Sequence, residues 1–439
     1  MRAREIVLAL LIILAGVSLS YFKSGRLSFE GDDFFGWSGR EFQFEETRDI
    51  PGPAPAWLEI ANSHGAVAVE SAAIDQVRIV FTKRVWRKDE AAAKTTADAI
   101  RMIANQSSDR LILSTNREDF KTKRFETDFK VLVPAATSVL IKNSYGPVKA
   151  SGVARAELIN SHGRVSAAQI AGPLVVRTSY EPVDADGIAG DCRIEAPHGE
   201  VNAHAVEGDL IIENSYERIR VERTAKALTV SGSHSDILAK DIGGRAEIGS
   251  SYEAIRVVGA LDVKIRGLQS EIELADIKGA ADVSNDHGFV RARNVSGGLK
   301  IEGRDVGVSA SGIAGPEIKI TTSYQDVDLL DFTSPAVIVL SHGDLRLRPL
   351  GLAGAVDVQG SYAGVDLEWP AGVRGPLEAR TTSGEINWML AEKPASLKTN
   401  GSSEVKAFTD AAGKPGVTIV TTYGDVRVRD AGSTDKKTD

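Results

Sequence analysis

The sequence has very little cysteine and few aromatic residues. Cys192 is the only cysteine among 439 residues, which excludes a disulfide within the chain and a cysteine metal cluster. We expect it to be buried as a small apolar side chain. Aromatic residues make up 6% of the chain, beside 42 glycines and 15 prolines, and this composition favours an elongated repeat over one compact core.

The chain also lacks a basic excess and the common catalytic motifs. Its net charge is −8 and no long basic run offsets it, which argues against nucleic acid as a partner. No phosphate loop, zinc-protease helix motif or dinucleotide fingerprint occurs. The sequence therefore assigns no catalytic residue, no metal ligand and no cofactor, and it predicts a protein that is not an enzyme.

One long hydrophobic run stands near the start of the chain, at residues 6–22 (IVLALLIILAGVSLSYF). As a helix it would span about 25 Å, which is short for a membrane anchor and long for a signal-peptide core. We expect residues 1–24 to be either a cleaved signal peptide or an uncleaved membrane anchor, with a linker at 25–56. Both alternatives predict a cell-envelope protein, either anchored in the inner membrane with the rest outside the cytoplasm or exported to the periplasm or cell surface.

A repeat of about 18 residues occupies most of the remaining sequence. Its copies align on the aromatic residue of pairs such as Ser161-His162. The aromatic residues in this phase are His64, Tyr145, His162, Tyr180, His198, Tyr216, His234, Tyr252, His287, Tyr324, His342, Tyr362 and Tyr423. Other copies carry Gln269, Asp305, Ser383 and Ser402 at the same position.

Apolar and polar residues alternate on both sides of the aromatic position. An aliphatic residue follows it by three, as at Val183, and apolar residues precede it by six and four, as at Leu174 and Val176. This pattern predicts two short strands per copy, and units this short must share a core by stacking. We expect an all-β fold, a single-chain parallel β-solenoid of about 17 rungs over residues 57–430 with right-handed crossovers, followed by a polar tail at 431–439.

An insertion at residues 77–134 interrupts the repeat. It has strand-like apolar segments and an alanine-rich stretch from Asp89 to Asn105, whose apolar residues, including Ile103, recur at helical spacing. We expect a β-hairpin and a helix that cover the exposed N-terminal edge of the solenoid. The basic residues of the insertion leave open a second interpretation, a lobe that binds a ligand or partner.

The segments TKRVWRKDEAAAKTTADAI and LVPAATSVLIKNSYGPVKASGV, followed by serial NSHGxV and TSYExV rungs, resemble the bacterial putative-adhesin β-strand-repeat (toastrack-like) family. The resemblance covers approximately Trp57 to Asp430, and it lies in the repeat arrangement because none of these motifs is catalytic. It implies a β-helix located in the cell envelope. Related domains occur in adhesin-like and envelope-stress proteins, while the biochemical role of the family is poorly defined.

The repeated Ser-His pair does not indicate a catalytic dyad. Consecutive side chains of a strand point to opposite faces, and a catalytic triad needs one unique place. Neighbouring histidines of the phase alternate with tyrosines and would lie about 9 to 10 Å apart, too far to share one zinc ion. We therefore expect the aromatic residues to form a structural ladder of stacked rings at a turn.

The leading functional hypothesis is a non-enzymatic, adhesin-like β-solenoid outside the cytoplasm. It would present an extended binding or structural surface to an envelope protein or a surface glycan. One alternative is a membrane-tethered component of an envelope-stress sensing system, held through residues 6–22. Another is a polysaccharide-active β-helix enzyme, but the acidic residues are scattered instead of clustered on one face.

Overall fold

The repeat folds as coils of two short strands each. The computed structural model describes residues 39–431 except 52–53, 122–123, 374, 399–401 and 412. The predicted signal or anchor at 1–24 and most of the tail at 431–439 lie outside these residues. About 4% of the chain is helical and the coils form a parallel β-solenoid of about 13 turns, which confirms the predicted fold class. Within the described part of the chain, no helix is long and apolar enough to cross a membrane.

Like strands of successive coils pair in parallel and in register. One coil consists of β10 (Arg155–His162) and β11 (Val165–Ile170), and the next of β12 (Leu174–Thr178) and β13 (Val183–Ile188). Strand β10 pairs with β12, and β11 pairs with β13. Each coil therefore adds one strand to each of two facing stacks, and equivalent residues of neighbouring coils lie side by side.

The remaining strands and the helix belong to three parts of the solenoid, which are the N-terminal end, the stack of coils and the C-terminal end. The N-terminal end comprises β1 (Arg40–Ile50), β2 (Trp57–Ala61), β3 (Val67–Ser71), β4 (Val77–Arg87), α1 (Glu90–Ala99), β5 (Met102–Gln106), β6 (Arg110–Thr115) and β7 (Phe125–Val133). The stack comprises, besides β10 to β13, β8 (Ser138–Tyr145), β9 (Val148–Ser151), β14 (Cys192–Glu195), β15 (Val201–Val206), β16 (Leu210–Glu213), β17 (Ile219–Thr224), β18 (Leu228–Ser231), β19 (Ile237–Ser251), β20 (Ala254–Ile277), β21 (Ala281–Val295), β22 (Leu299–Glu302), β23 (Val306–Ile313), β24 (Ile318–Thr322), β25 (Val327–Phe332), β26 (Ala336–Pro349) and β27 (Val356–Trp369). The C-terminal end comprises β28 (Leu377–Thr381), β29 (Ile386–Met389), β30 (Ser396–Lys398), β31 (Ser403–Ala407), β32 (Val417–Thr421) and β33 (Val426–Asp430).

The insertion closes the N-terminal end of the solenoid out of chain order. Strands β2 and β3 are covered on one side by β8 and β9 and on the other by β6 and β7, which come later in the sequence than β3. Antiparallel strands then cover this outermost coil, because β5 pairs with β6 and β4 pairs with β7. Strand β1, which falls within the predicted linker at 25–56, pairs with β4 along residues 40–50.

The helix of the insertion is shorter than the sequence pattern predicts. It begins after Asp89, whose side chain accepts a hydrogen bond from the Ala92 N–H, and it ends at Ala99 because Ile100 is extended. Met102 to Gln106 instead form strand β5, paired with β6. The prediction of one helix from Asp89 to Asn105 was therefore wrong beyond Ala99, since pairing with β6 outweighs the helical spacing of Ile103.

The C-terminal end is also closed by strands that lie out of chain order. Strands β32 and β33 lie between β27 and the earlier pair β28 and β29, and β31 pairs antiparallel with β28. The coils from β8 and β9 through β27 therefore follow chain order, whereas copies at both ends do not. The structure has about 13 turns, slightly fewer than the predicted 17 rungs.

The interior is filled by aliphatic side chains that stack on their counterparts in the next coil. In β12, Leu174, Val176 and Thr178 are buried and the residues between them face outward. Cys192 of β14 is buried as expected, and this burial raises the pKa of its thiol to about 12. Because little thiolate then forms at neutral pH, Cys192 serves as packing and not as a reactive group.

A left-handed backbone position marks the corner opposite the aromatic turn. Seven residues after the aromatic position, φ is positive at Gly187 (68°), Asp241 (56°), Gly259 (72°) and Asn294 (56°), and also at Gln169 (54°), Ala205 (55°) and Arg223 (60°). Glycine, asparagine and aspartate tolerate this conformation best. Hydrophobic periodicity does not predict this corner, although these three residue types often recur there in phase.

The packing predicts very different effects for two adjacent residues of β10. Leu158 is fully buried, whereas Ile159 faces outward and is partly exposed. We expect Leu158→Ala to lower the free energy of unfolding by about 2 to 5 kcal/mol because it leaves a cavity. The matched change Ile159→Ala should cost about 1 kcal/mol or less. Urea unfolding followed by circular dichroism measures both, and equal losses would contradict the assignment of inner and outer faces.

Candidate functional site along the aromatic edge

The aromatic positions lie at the turn that joins the two strands of a coil. His162 ends β10, Gly163 turns the chain with φ of 124°, and Val165 begins β11. Asn160, two residues before His162, is buried beneath this turn. Its side-chain N–H groups donate to the carbonyl oxygens of Gly146 (3.0 Å) and Gly163 (2.7 Å). The asparagine thus fixes the turn and ties it to the turn of the preceding coil.

The same asparagine contact recurs along the rod. Asn143 donates to Gly65 O at 3.2 Å and to Gly146 O at 3.1 Å. Asn214 donates to Ala196 O and Gly199 O, both at 2.7 Å. The Asn-Ser-aromatic pattern did not by itself indicate that the asparagine binds turn carbonyl groups, although asparagine recurs two residues before the aromatic position.

The rings form a first uninterrupted stack over the N-terminal half of the rod. It runs through His64, Tyr145, His162, Tyr180, His198, Tyr216, His234 and Tyr252. Adjacent ring centroids are 4.6 to 5.5 Å apart. This distance follows the spacing of about 4.8 Å between paired strands, so the backbone sets the ring contacts. We refer to the line of rings along the rod as the aromatic edge.

A second, shorter stack follows after a gap. Tyr324, His342, Tyr362 and Tyr423 stack with centroid distances of 4.7, 4.8 and 4.7 Å. Between the two stacks, His287 has Gln269 and Asp305 at the aromatic positions of its neighbouring coils. Among the described residues, no ring stacks on His287, so this member of the predicted ladder stands alone.

A charged contact accompanies the isolated His287. The neighbouring Asp286 accepts the backbone N–H of Arg304 at 3.0 Å. This hydrogen bond, with the Arg304 guanidinium and His287 nearby, lowers the pKa of the Asp286 carboxyl despite partial desolvation. The gap in the aromatic edge is therefore polar and contains the Asp286–Arg304 ion pair, at 3.4 Å.

The tyrosines of the aromatic edge reach solvent. Their exposed fraction ranges from 46% for Tyr145 to 65% for Tyr324. Inside the stacks the ring faces are covered by the neighbouring rings, so ring edges and phenol groups are what solvent contacts. Each stacked pair contributes about 0.5 to 1.5 kcal/mol beyond its burial.

The contacts of the repeated serine differ from those of a catalytic serine. The Ser233 hydroxyl donates to Ser215 O at 2.9 Å. His234 Nδ1 lies 3.4 Å from the Ser233 hydroxyl oxygen. The hydroxyl proton is therefore used by the carbonyl of the preceding coil. In the described ranges, no group of three or more His, Cys, Asp or Glu side chains has a geometry that could hold a metal ion.

One histidine lies outside the aromatic phase, on the outer surface of a strand stack. We call the outer surfaces of the two strand stacks the flat faces of the rod. His204 Nδ1 is 2.5 Å from Asp186 Oδ1, and its ring also contacts the Arg223 guanidinium. His204 and Asp186 border an open groove of about 340 Å³. Within the described part of the chain, no serine, threonine or cysteine side chain hydrogen-bonds to His204, so the pair does not form a Ser-His-Asp arrangement.

Acidic residues on the flat faces are paired with basic residues of adjacent coils. Arg177 lies 2.8 Å from Glu157 and 3.4 Å from Glu195. On the other face, Arg256 lies 3.3 Å from Asp236 and 3.8 Å from Glu273. Exposed pairs of this kind contribute about 0 to 1 kcal/mol each, and here they offset the repulsion that stacked like charges would cause.

Comparison with known proteins identifies one family. A family model described as Toastrack DUF4097 matches residues 219–439, about half of the chain. No curated protein matches. A crystal structure of a putative cell adhesion protein from Clostridium sporogenes is 7% identical over 89% of this chain and 100% of its own, with a TM-score of 0.16. A TM-score this low supports no structural inference.

The asparagine beneath the turn should matter more than an asparagine on a flat face. We expect Asn160→Ala to lower the free energy of unfolding by about 1 to 3 kcal/mol because two carbonyl groups lose a donor beneath the turn. Asn202 is a matched control, since its side chain faces outward and donates a hydrogen bond to Asp184 Oδ1 at 3.2 Å. Its change to alanine should cost about 0.5 kcal/mol or less. Thermal or urea unfolding distinguishes the two, and equally small losses would remove the structural role of Asn160.

Proposed function

Because the chain belongs to the Toastrack family, we propose that this adhesin-like β-solenoid is a non-enzymatic binding scaffold at the bacterial cell envelope. Its ligand would be a surface glycan or an envelope protein. The proposal includes no nucleic acid partner, no cofactor and no metal. Its location would be outside the cytoplasm, either tethered to the inner membrane or exported.

The aromatic edge is the observation that supports this proposal most directly. Half-exposed tyrosines recur at every second coil of the first stack, at intervals of about 10 Å. Because the neighbouring rings cover their faces, a partner would meet ring edges and phenol hydroxyls, which donate and accept hydrogen bonds. Many equal and individually weak contacts suit an extended or repetitive partner, for which affinity comes from simultaneous engagement.

The non-enzymatic part of the proposal rests on repetition. Ser-aromatic turns recur in successive coils, whereas catalysis requires one place that differs from its copies. The serine hydroxyl at Ser233 donates to a backbone carbonyl. The acids Glu157 and Asp236 are held in ion pairs across coils, which does not favour their use in a polysaccharide-active enzyme.

Photo-crosslinking in living cells tests the proposed surface. A photoreactive phenylalanine derivative at Tyr216, on the aromatic edge, is expected to capture an envelope glycan or protein. The same residue at Lys240, exposed on a flat face nearby, is the control and should capture much less. Captured material is identified by mass spectrometry and confirmed by binding of the purified partner. Equal capture at both positions, or capture of the same chain alone, would contradict a binding role for the aromatic edge.

The second candidate function, a membrane-tethered envelope-stress component, is favoured by the apolar run at residues 6–22. In this proposal the run stays attached and couples the rod to a membrane partner. Mass spectrometry of the protein from its native cells is then expected to find residues 6–22 in the membrane fraction. A mature N-terminus near Tyr21 would rule out this candidate and leave the exported scaffold.

A further inference from the structure

One ring pair breaks the alternation of tyrosine and histidine. Tyr362 and Tyr423 stack directly, with ring centroids 4.7 Å apart and planes inclined by only 7°. In the first stack a histidine lies between successive tyrosines, which places their phenols about 10 Å apart. Among the described residues, this is the one place where two tyrosine rings stack on each other.

The pair lies where the chain returns out of order. Tyr362 belongs to β27, and Tyr423 joins β32 to β33, the coil that is inserted between β27 and the pair β28 and β29. The backbone is paired on both sides of the rings, with Gln359 opposite Val420 and Val365 opposite Val426. In addition, the Tyr423 N–H donates to Ser361 O at 2.7 Å.

Two exposed phenols are thus held face to face by a rigid frame. The exposed fractions of Tyr362 and Tyr423 are 53% and 48%, so a small diffusible oxidant or a peroxidase product can reach them. Their exposed edges leave room for the rings to tilt as a bond forms between them. Because the two phenols are already adjacent, radicals formed on them can couple within one molecule without a diffusional encounter.

We propose that Tyr362 and Tyr423 form an oxidative cross-linking site that yields dityrosine. Each phenol loses one electron and one proton to give a phenoxyl radical. The two radicals couple through a carbon ortho to each oxygen, and the ortho hydrogens shift to restore both phenols. The net loss is two protons and two electrons, which reduce one hydrogen peroxide to two water molecules, with a haem peroxidase as the one-electron catalyst.

The neighbouring rings explain why the reaction is confined to this pair. A phenoxyl radical at Tyr216 has imidazole rings, those of His198 and His234, on both faces. Among the described residues, the ring stacked on Tyr324 is that of His342. Neither Tyr216 nor Tyr324 has a second phenol stacked directly on its own ring, so intramolecular cross-linking selects Tyr362 and Tyr423.

The cross-link would fasten the C-terminal end of the rod. It joins the inserted coil to β27 and closes a loop that contains β28 to β31. A covalent link of this kind restricts the unfolded chain as a disulfide does. With Cys192 as its only cysteine, the chain cannot form a disulfide within itself.

The test treats the purified full chain with a haem peroxidase and limiting hydrogen peroxide. We expect blue dityrosine fluorescence in the monomer, a mass lower by two hydrogen atoms, and a cross-linked peptide that joins Tyr362 to Tyr423. Tyr362→Phe and Tyr423→Phe should each lose the monomer signal while keeping a stacked ring. The matched controls Tyr216→Phe and Tyr324→Phe should retain it, and the cross-linked protein should unfold at a higher temperature.

Three results would overturn the proposal. One is an unchanged monomer signal in Tyr423→Phe, and another is cross-linking between separate chains only. The third is an equal yield of the Tyr362–Tyr423 peptide from protein oxidised in urea, because the reaction would then not depend on the folded stack. Circular dichroism of each phenylalanine variant shows whether it is folded, and a folded variant that keeps the signal counts against the site.

Discussion

Parallel, in-register hydrogen bonding between successive coils is the constraint on which the rest of the structure depends. It places Leu158 beside Val176 and Val176 beside Ile194, so the core is built from like residues stacked on like. The same register acts on the surface. It brings equivalent rings within stacking distance at one turn, and it would bring like charges together on the flat faces. Arginines of adjacent coils offset this repulsion, as where Arg177 lies across from Glu195.

The same hydrogen bonding creates a difficulty at the ends, where a stack of strands exposes unpaired backbone groups. Open edges of this kind invite pairing with other chains. At both ends the chain builds an outer coil with antiparallel strands against it. At the N-terminal end β2 and β3 come first, β6 and β7 form the outer coil, and the chain then crosses to β8 and β9 on the inner side. At the C-terminal end the chain moves past one coil position, builds the outer coil of β28 and β29, and returns to the skipped place with β32 and β33.

The sequence pattern predicts local structure well because each coil repeats the same local rules. The phase of Tyr145 and His162 locates the turn, and the alternation around Leu174 separates the inner from the outer face. Position in the stack is different, since Tyr423 and Val426 match the repeat as well as any copy yet belong to a coil that lies before β28 and β29. No local pattern records that order.

Two features of the turns and corners were not predicted from the sequence, for one common reason. The amide of Asn160 and the left-handed corner at Asp241 each act through the backbone of a turn, which hydrophobic periodicity does not report. Both leave a signal, because asparagine recurs before the rings, and glycine, asparagine and aspartate recur at the corner. A repeat should therefore be searched for its turn residues as well as for its apolar residues.

Repetition also limits what the edge can do. Because the turns at Tyr180 and Tyr216 are equivalent, a contact available at one is available again at the other, and neither ring confers a unique activity. Function must then come from the sum of similar contacts or from the places where the pattern breaks. Two such breaks among the described coils are the polar gap around His287 and the paired tyrosines near the C-terminal end. The gap divides the edge into two stacks, and the tyrosine pair lies at the coil that completes the fold. Specificity in a repetitive scaffold is therefore to be sought at its irregular coils, while the regular coils supply length, rigidity and multivalent contact.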